Sequence, residues 1–157
     1  MRAIVQRVSK SSLQIDNKPY SSIEKGFLVL FGVTNGDTIE DAKVMADKIS
    51  KLRVFEDNEG KMNLSLLDVG GELHIVSQFT LYADCHHGNR PSFIEAARPE
   101  VAIPIYEKFI DYCKETGIHV ETGEFGADMK INLINDGPVT IFLEVNNGKV
   151  LWIDIKL

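Results

Sequence analysis

Gly26-Phe27-Leu28-Val29-Leu30-Phe31-Gly32-Val33 is an unbroken apolar run with glycines near both ends. It has strand length and carries no polar residue, so it predicts a strand covered on both faces. The period changes immediately afterwards. Thr34-Asn35-Gly36 reads as a turn, and Ile39, Ala42, Met45, Ala46, Ile49 and Leu52 then recur on one helical face. Asp37 and Glu40 have the spacing of a capping box, which places the start of that helix at Asp37. A strand hidden on both sides and an amphipathic helix beside it call for a layered fold.

The rest of the chain extends this pattern. Residues 2–9 alternate and, with Leu13 and Ile15 beyond a short polar turn, read as an opening β-hairpin. Leu52–Phe55 reads as a short strand, Glu56–Gly60 as a polar turn, and Leu73–Tyr82 as the clearest strand. A second helix is predicted over Ala102–Thr116, with Pro104 in its first turn and Gly117 as its stop. Its buried stripe would be Ala102, Ile105, Tyr106, Phe109 and Cys113. Strands at Ile118–Glu121, Met129–Ile134 and Val139–Val145 follow, and Asn146-Asn147-Gly148 would turn the chain into a last strand, Val150–Ile155. Two principal helices among some eight strands give an α+β class, with mainly antiparallel sheets that could curl into a barrel. The 157 residues suit one domain over 1–157, large enough to bury roughly 68–70% of the unfolded surface.

Composition narrows the function classes. Hydrophobic residues make up 44% and charged residues 25%, with mean hydropathy −0.06, which excludes a disordered or membrane-embedded chain. Charges at Arg2 and Arg7 break the opening apolar run, against a secretory signal. A net charge of −6 argues against bulk adhesion to duplex DNA or to an anionic membrane. A local grip on one end of a nucleic acid remains compatible with it. Cys85 and Cys113 are too few for a disulfide scaffold and too far apart for a zinc knuckle. A reducing cytoplasm is the simplest setting.

Four segments could carry chemistry. In Leu73–Tyr82, alternation puts Leu73, Ile75, Ser77, Phe79 and Leu81 on a core face, and His74, Val76, Gln78, Thr80 and Tyr82 on an exposed polar face. Thr80 could be a nucleophile only with a base beside it. In a straight strand His74 is about 20 Å away, at about 3.3 Å per residue. The second segment, Asp84–Phe93, sets Cys85 beside His86 and His87, but lacks the second ligand pair of a structural metal site. It reads as a turn in which Arg90, with the two histidines, could face an anionic ligand. In Gly123–Met129 two glycines fit a tight turn between strands or a close approach to a ligand. With no helix after them, a dinucleotide-binding loop is rejected. In Asn135–Thr140, Pro138 must start or flank a strand. Its bond to Gly137 could be cis at a cost of only about 0.5–1 kcal/mol.

Two of these segments, Ser77-Gln78-Phe79-Thr80-Leu81 and Asn135-Asp136-Gly137-Pro138-Val139-Thr140, resemble the two signatures of the D-aminoacyl-tRNA (D-tyrosyl-tRNA) deacylases. The likeness covers nearly the whole chain, through Ile4–Val8, Phe55-Glu56-Asp57, Gly60–Asn63, Gly88–Phe93 and Thr122–Gly126. It implies hydrolysis of the ester between a D-amino acid and the 3′-terminal adenosine of tRNA, including glycine mis-attached to alanine tRNA. It further implies translation quality control in the cytoplasm, no cofactor, no metal, and a homodimer with active sites at the subunit interface. By the same resemblance Gly137 and Pro138 are a cis pair that enters the partner's pocket and selects chirality, with Arg7 bracing the incoming loop. Ser77, Gln78, Phe79 and Thr80 form the opposite, catalytic wall, with backbone N–H groups near Phe79 and Thr80 facing the ester carbonyl. Arg90, His86 and His87 are candidate RNA contacts. The family's turn after Asp84 is usually rich in Lys or Arg; histidines there imply a firmer grip on RNA below about pH 6.5. The tail Lys149–Leu157 extends beyond many members.

With no base near Thr80, the reading favours positioning and backbone donors, with the RNA's own terminal 2′-hydroxyl assisting water. A non-catalytic module for the tRNA 3′ end and a Cys85-centred thiol hydrolase are the competing classes.

Overall fold

The computed structural model describes residues 1–151. Its elements in chain order are β1 (Arg2–Ile15), β2 (Lys18–Ile23), β3 (Gly26–Gly32), α1 (Ile39–Ser50), β4 (Phe55–Glu56), β5 (Met62–Leu64), α2 (Leu66–Val69), β6 (Glu72–Ser77), a 3-10 turn (Phe79–Tyr82), α3 (Pro99–Glu115), β7 (Val120–Thr122), β8 (Met129–Asn146) and β9 (Lys149–Leu151). The class is α+β, as expected. One sheet runs β7-β6-β3-β1-β8-β9, with β2 on the far half of β1, and β4 and β5 form a separate ribbon. The β1 pairings with β2, β3 and β8 and the β8–β9 pairing are antiparallel, whereas β3–β6 and β6–β7 are parallel.

The apolar run at Gly26–Gly32 is buried on both faces because the sheet has two cores. Phe27, Val29 and Phe31 point to the helices, together with Leu73 and Ile75 of β6. Leu28 and Val76 point the other way, into a cluster with Val8, Leu13 and Ile23. Burying each such side chain contributes about 1.5–3 kcal/mol. Around the second cluster the sheet curls. Ser21 of β2 donates to the carbonyl of Thr122 in β7 (2.9 Å) and meets His74 of β6. α3 lays Ala102, Ile105, Tyr106, Phe109 and Cys113 on the other face, the predicted stripe, with Phe31 and Phe109 stacked at 4.2 Å.

Several boundaries differ from expectation. The opening segment is one strand: both halves of β1 pair with β8, and the two-residue turn lies at Asp16-Asn17, both at positive φ, as hairpins favour. The α1 cap is Thr38 with Asp41, because Asp37 is turned to the Met1 ammonium at 2.6 Å and the Thr34 amide. The strand expected over Leu73–Tyr82 stops at Ser77, where the Gln78 amide makes a last bond to Phe31 O (2.7 Å) and the chain turns. Of its supposed polar face, His74 and Val76 lie inside the curl and Tyr82 is buried, while Thr80 is exposed; Phe79, expected in the core, is exposed as well because the strand has ended before it. Leu52–Val54 are outside any strand, β7 starts two residues later than predicted, and α3 starts at Pro99. Met129–Ile134 and Val139–Val145 are arms of one interrupted strand, β8. The predicted strand Val150–Ile155 lies mostly outside the described residues.

Candidate active site

The end of β6 builds one wall. Once Gln78 has bonded to Phe31 O, the Phe79 and Thr80 amides open the 3-10 turn. Among the described residues neither has an acceptor in the chain, as is general for the first donors of a helical turn. Beside them lies a cavity of about 310 Å³. Ser77, Gln78 and Phe79 line one side, Phe125 to Met129 the other, and Ala102 and Tyr106 of α3 contribute between them. The Gly123–Met129 segment is thus both a turn between β7 and β8 and a cavity wall. Gly123 is held against β6 by its amide bond to Ile75 O (3.0 Å). A Cβ there would lie 2.5 Å from the Met129 sulfur, so a larger residue would push the Met129 side chain aside.

The groups around Thr80 limit its chemistry. Its hydroxyl accepts from the Gln78 side-chain amide, and among the described residues no imidazole or carboxylate is bonded to it. His74 is fully buried, its ring nitrogens 2.9 Å from the Ser11 and Ser21 hydroxyls. Ser21 gives its proton to Thr122 O, so it accepts from Nε2–H, and Nδ1 accepts from Ser11. Burial holds the imidazole below its ordinary pKa, against a weaker opposing pull from Glu121. His74 is a neutral structural strut.

The second signature is an excursion from β8. Pairing runs to Val8↔Asn135 and resumes at Gln6↔Thr140, so Asp136–Val139 stand unpaired opposite Arg7. The Gly137–Pro138 bond is cis. Arg7, only 4% exposed, donates from Nε to Asp136 O (2.9 Å) and from one terminal nitrogen to Val54 O (2.6 Å) and both Glu56 oxygens (2.9 and 3.0 Å). Hydrogen bonding from Arg7 holds the Glu56 carboxyl below its usual range. Asn135 closes the loop from the other side: its Oδ1 accepts from Val139 N (3.0 Å) and its Nδ2 donates to Thr140 Oγ1 (2.9 Å). Gly137 and Pro138 are exposed and line no part of the cavity. Within one chain the two signatures stay apart. Arg7, expected to brace the incoming loop, instead holds its own chain's loop, because the unpaired stretch of β8 stands directly opposite it.

The Asp84–Phe93 segment forms a flap at the cavity rim. Asp84 and Ser92 exchange backbone bonds of 2.8 and 2.9 Å, and Asp84 Oδ1 holds the His86 amide and ring. Cys85, His87 and Arg90 are exposed. Phe93 then meets Phe79 edge-on, with centroids 5.1 Å apart and planes at 72°.

The sequence model described as D-Tyr-tRNA(Tyr) deacylase matches residues 4–144. The chain belongs to that family. A relative from Clostridium novyi (strain NT), named D-aminoacyl-tRNA deacylase, is 58% identical over 92% of this chain and 97% of its own length. One of the same name from Fervidobacterium nodosum is 56% identical over the same shares. Among solved structures, a c-Myc DNA unwinding element binding protein superposes with TM-score 0.86 at 40% identity, covering 92% of this chain and 98% of that one. A probable eukaryotic D-amino acid tRNA deacylase shares the fold, with TM-score 0.78 at 17% identity, over 90% and 97%.

Within the family signatures, sequence reasoning gave no role to Asn135 or Glu56, although they fix the Gly-Pro excursion from opposite sides. Asn135 carried a legible signal, a short amide side chain four residues before an unpaired Val139 N–H. Tyr106 was read only as core; it packs on Phe125 at 5.8 Å and donates to Ile75 O at 3.1 Å, so one residue ties α3 to both cavity walls.

Proposed function

We propose that this deacylase-family chain hydrolyses the ester of D-aminoacyl-tRNA, and of glycine mis-attached to alanine tRNA, releasing the amino acid and tRNA. The observation that carries the reading is the pair of unclaimed amides at Phe79, which lines the cavity, and at Thr80, the next residue along. They can receive the oxyanion that develops on the ester carbonyl, each such donor being worth about 2.7–4 kcal/mol. The terminal adenosine occupies the cavity, and its 2′-hydroxyl assists the attacking water. Thr80 supports this rather than nucleophilic catalysis, since its bonded neighbour is an amide donor and not a base.

Chirality is sensed by the Gly137–Pro138 loop of a second copy. Two features support this. The loop is exposed and absent from its own cavity, so it is free to reach a second copy. It is also held by Arg7 and Asn135 in one geometry. Carbonyl oxygens there accept the substrate ammonium and crowd the position of an L side chain. Arg90, His86 and His87 approach the RNA backbone. Quality control of charged tRNA would place the protein in the cytoplasm; among the described residues no helix is long and apolar enough to cross a membrane. A net charge of −6 disfavours duplex DNA as the partner.

The test incubates chelator-treated protein with D- and L-tyrosyl-tRNA. Release from the D ester only is expected, and sedimentation should give a dimer. Protection of the D ester would identify a non-catalytic 3′-end binder, and loss of activity on alkylating Cys85 a thiol hydrolase.

A further inference from the structure

Phe79 is 55% exposed and Phe93 37% exposed, although they touch each other, and the neighbouring Ile94 is 82% exposed. An aromatic pair that serves only packing buries most of its surface; this one faces outward at the cavity mouth. Its placement is fixed by backbone. The Asp84–Ser92 exchange holds the residue before Phe93, and further along Ala97 N donates to Val33 O at 2.9 Å. The Thr34 hydroxyl bonds Glu95 O between those two ties. Ala97 itself lines the cavity, so the Phe93 segment leads directly from the rim into the site. Arg90 stands in the same flap, exposed and without an ion pair among the described residues.

We infer that Phe93, supported edge-on by Phe79, is a stacking platform for the nucleobase that precedes the terminal adenosine of the RNA, with Arg90 on the adjoining phosphate. The inference rests on the substrate proposed above and adds a specificity determinant to it. Unstacked bases at RNA ends are recognised by aromatic faces, and any base can be held this way. A platform joined to the cavity would let the enzyme distinguish a charged RNA end from a free aminoacyl-nucleoside.

The experiment compares kcat/KM on D-tyrosyl-tRNA and on D-tyrosyl-adenosine, which lacks the preceding base, for wild type, Phe93→Leu and Phe93→Tyr. A third substrate is D-tyrosyl-tRNA made abasic at the preceding position. Phe93→Leu should lower the tRNA-to-adenosine ratio about tenfold, mainly through KM, and Phe93→Tyr should restore it. The wild type should lose a similar factor on the abasic RNA. An unchanged ratio, or equal losses on both substrates, overturns the platform. So does dissociation of a dimer by Phe93→Leu, which would show that a second copy covers the rim. If the wild type hydrolyses neither substrate, the deacylase reading itself falls and the platform with it, a result visible before any variant is made.

Discussion

The Arg7 guanidinium and the Asp136 carbonyl are 2.9 Å apart, and this bond joins the central strand of the sheet to the root of the Gly-Pro excursion. Arg7 is also bound to Val54 O and Glu56, so one buried cation holds three segments. Arg7→Ala should lower stability by about 2–3 kcal/mol, chiefly through the two carbonyls left without their donor. Arg7→Lys should recover only part of this, since a single ammonium cannot reproduce the fork. Urea unfolding of the three proteins measures it. The Glu56 carboxyl is depressed in the folded state, so its contribution is present above its ordinary pKa of 4.5 and is lost as pH falls below that value.

Gly137 has φ +131°, and a Cβ there would sit 2.8 Å from Val139 Cγ2 and 3.0 Å from an Arg7 nitrogen. Gly137→Ala should therefore displace the loop and lower kcat/KM on D substrates at least about tenfold. Normal D-substrate kinetics would remove the loop from the mechanism.

Thr80 tests the other wall. Thr80→Ala and Thr80→Val keep the backbone amides, so turnover should fall less than about tenfold. Abolished turnover with intact RNA binding, or a trapped Thr80 ester, would instead establish a covalent route.

His74 gives a pH signature in stability. Its folded-state pKa lies below the unfolded value of 6.5. Below pH 6.5 the unfolded chain therefore binds the extra proton first, and stability falls with pH. A series of urea titrations from pH 8 to pH 5 should show this decline, and His74→Gln should flatten it. Parallel curves for the two proteins would mean that other groups govern the slope.

The sequence revealed most where one face decided the outcome. The α3 stripe from Ala102 to Cys113 was readable because five spaced residues share a single helical side. Gly26–Gly32 was readable because no polar residue interrupts it. Leu73–Tyr82 misled for the converse reason: the alternation continues past Ser77, but the strand ends there when Phe31 supplies its last bond. The polar stretch Ser9–Ser12 suggested a turn, whereas Ser11 is interior and satisfied by His74. That pairing depends on strands far apart in sequence. The two signatures were visible as motifs, and their separation within one chain was implied only by the family resemblance; its physical reason is the sheet order, which sets β8 and β6 apart.

That sheet order also bears on biosynthesis. One side of β1 is paired by β3 soon after it emerges, while the other awaits β8, with Arg2 opposite Glu144. During translation β1 thus keeps an open flank until β8 has left the ribosome. Nascent chains stalled before β8 should be the aggregation-prone species, because a bare sheet flank can recruit another polypeptide.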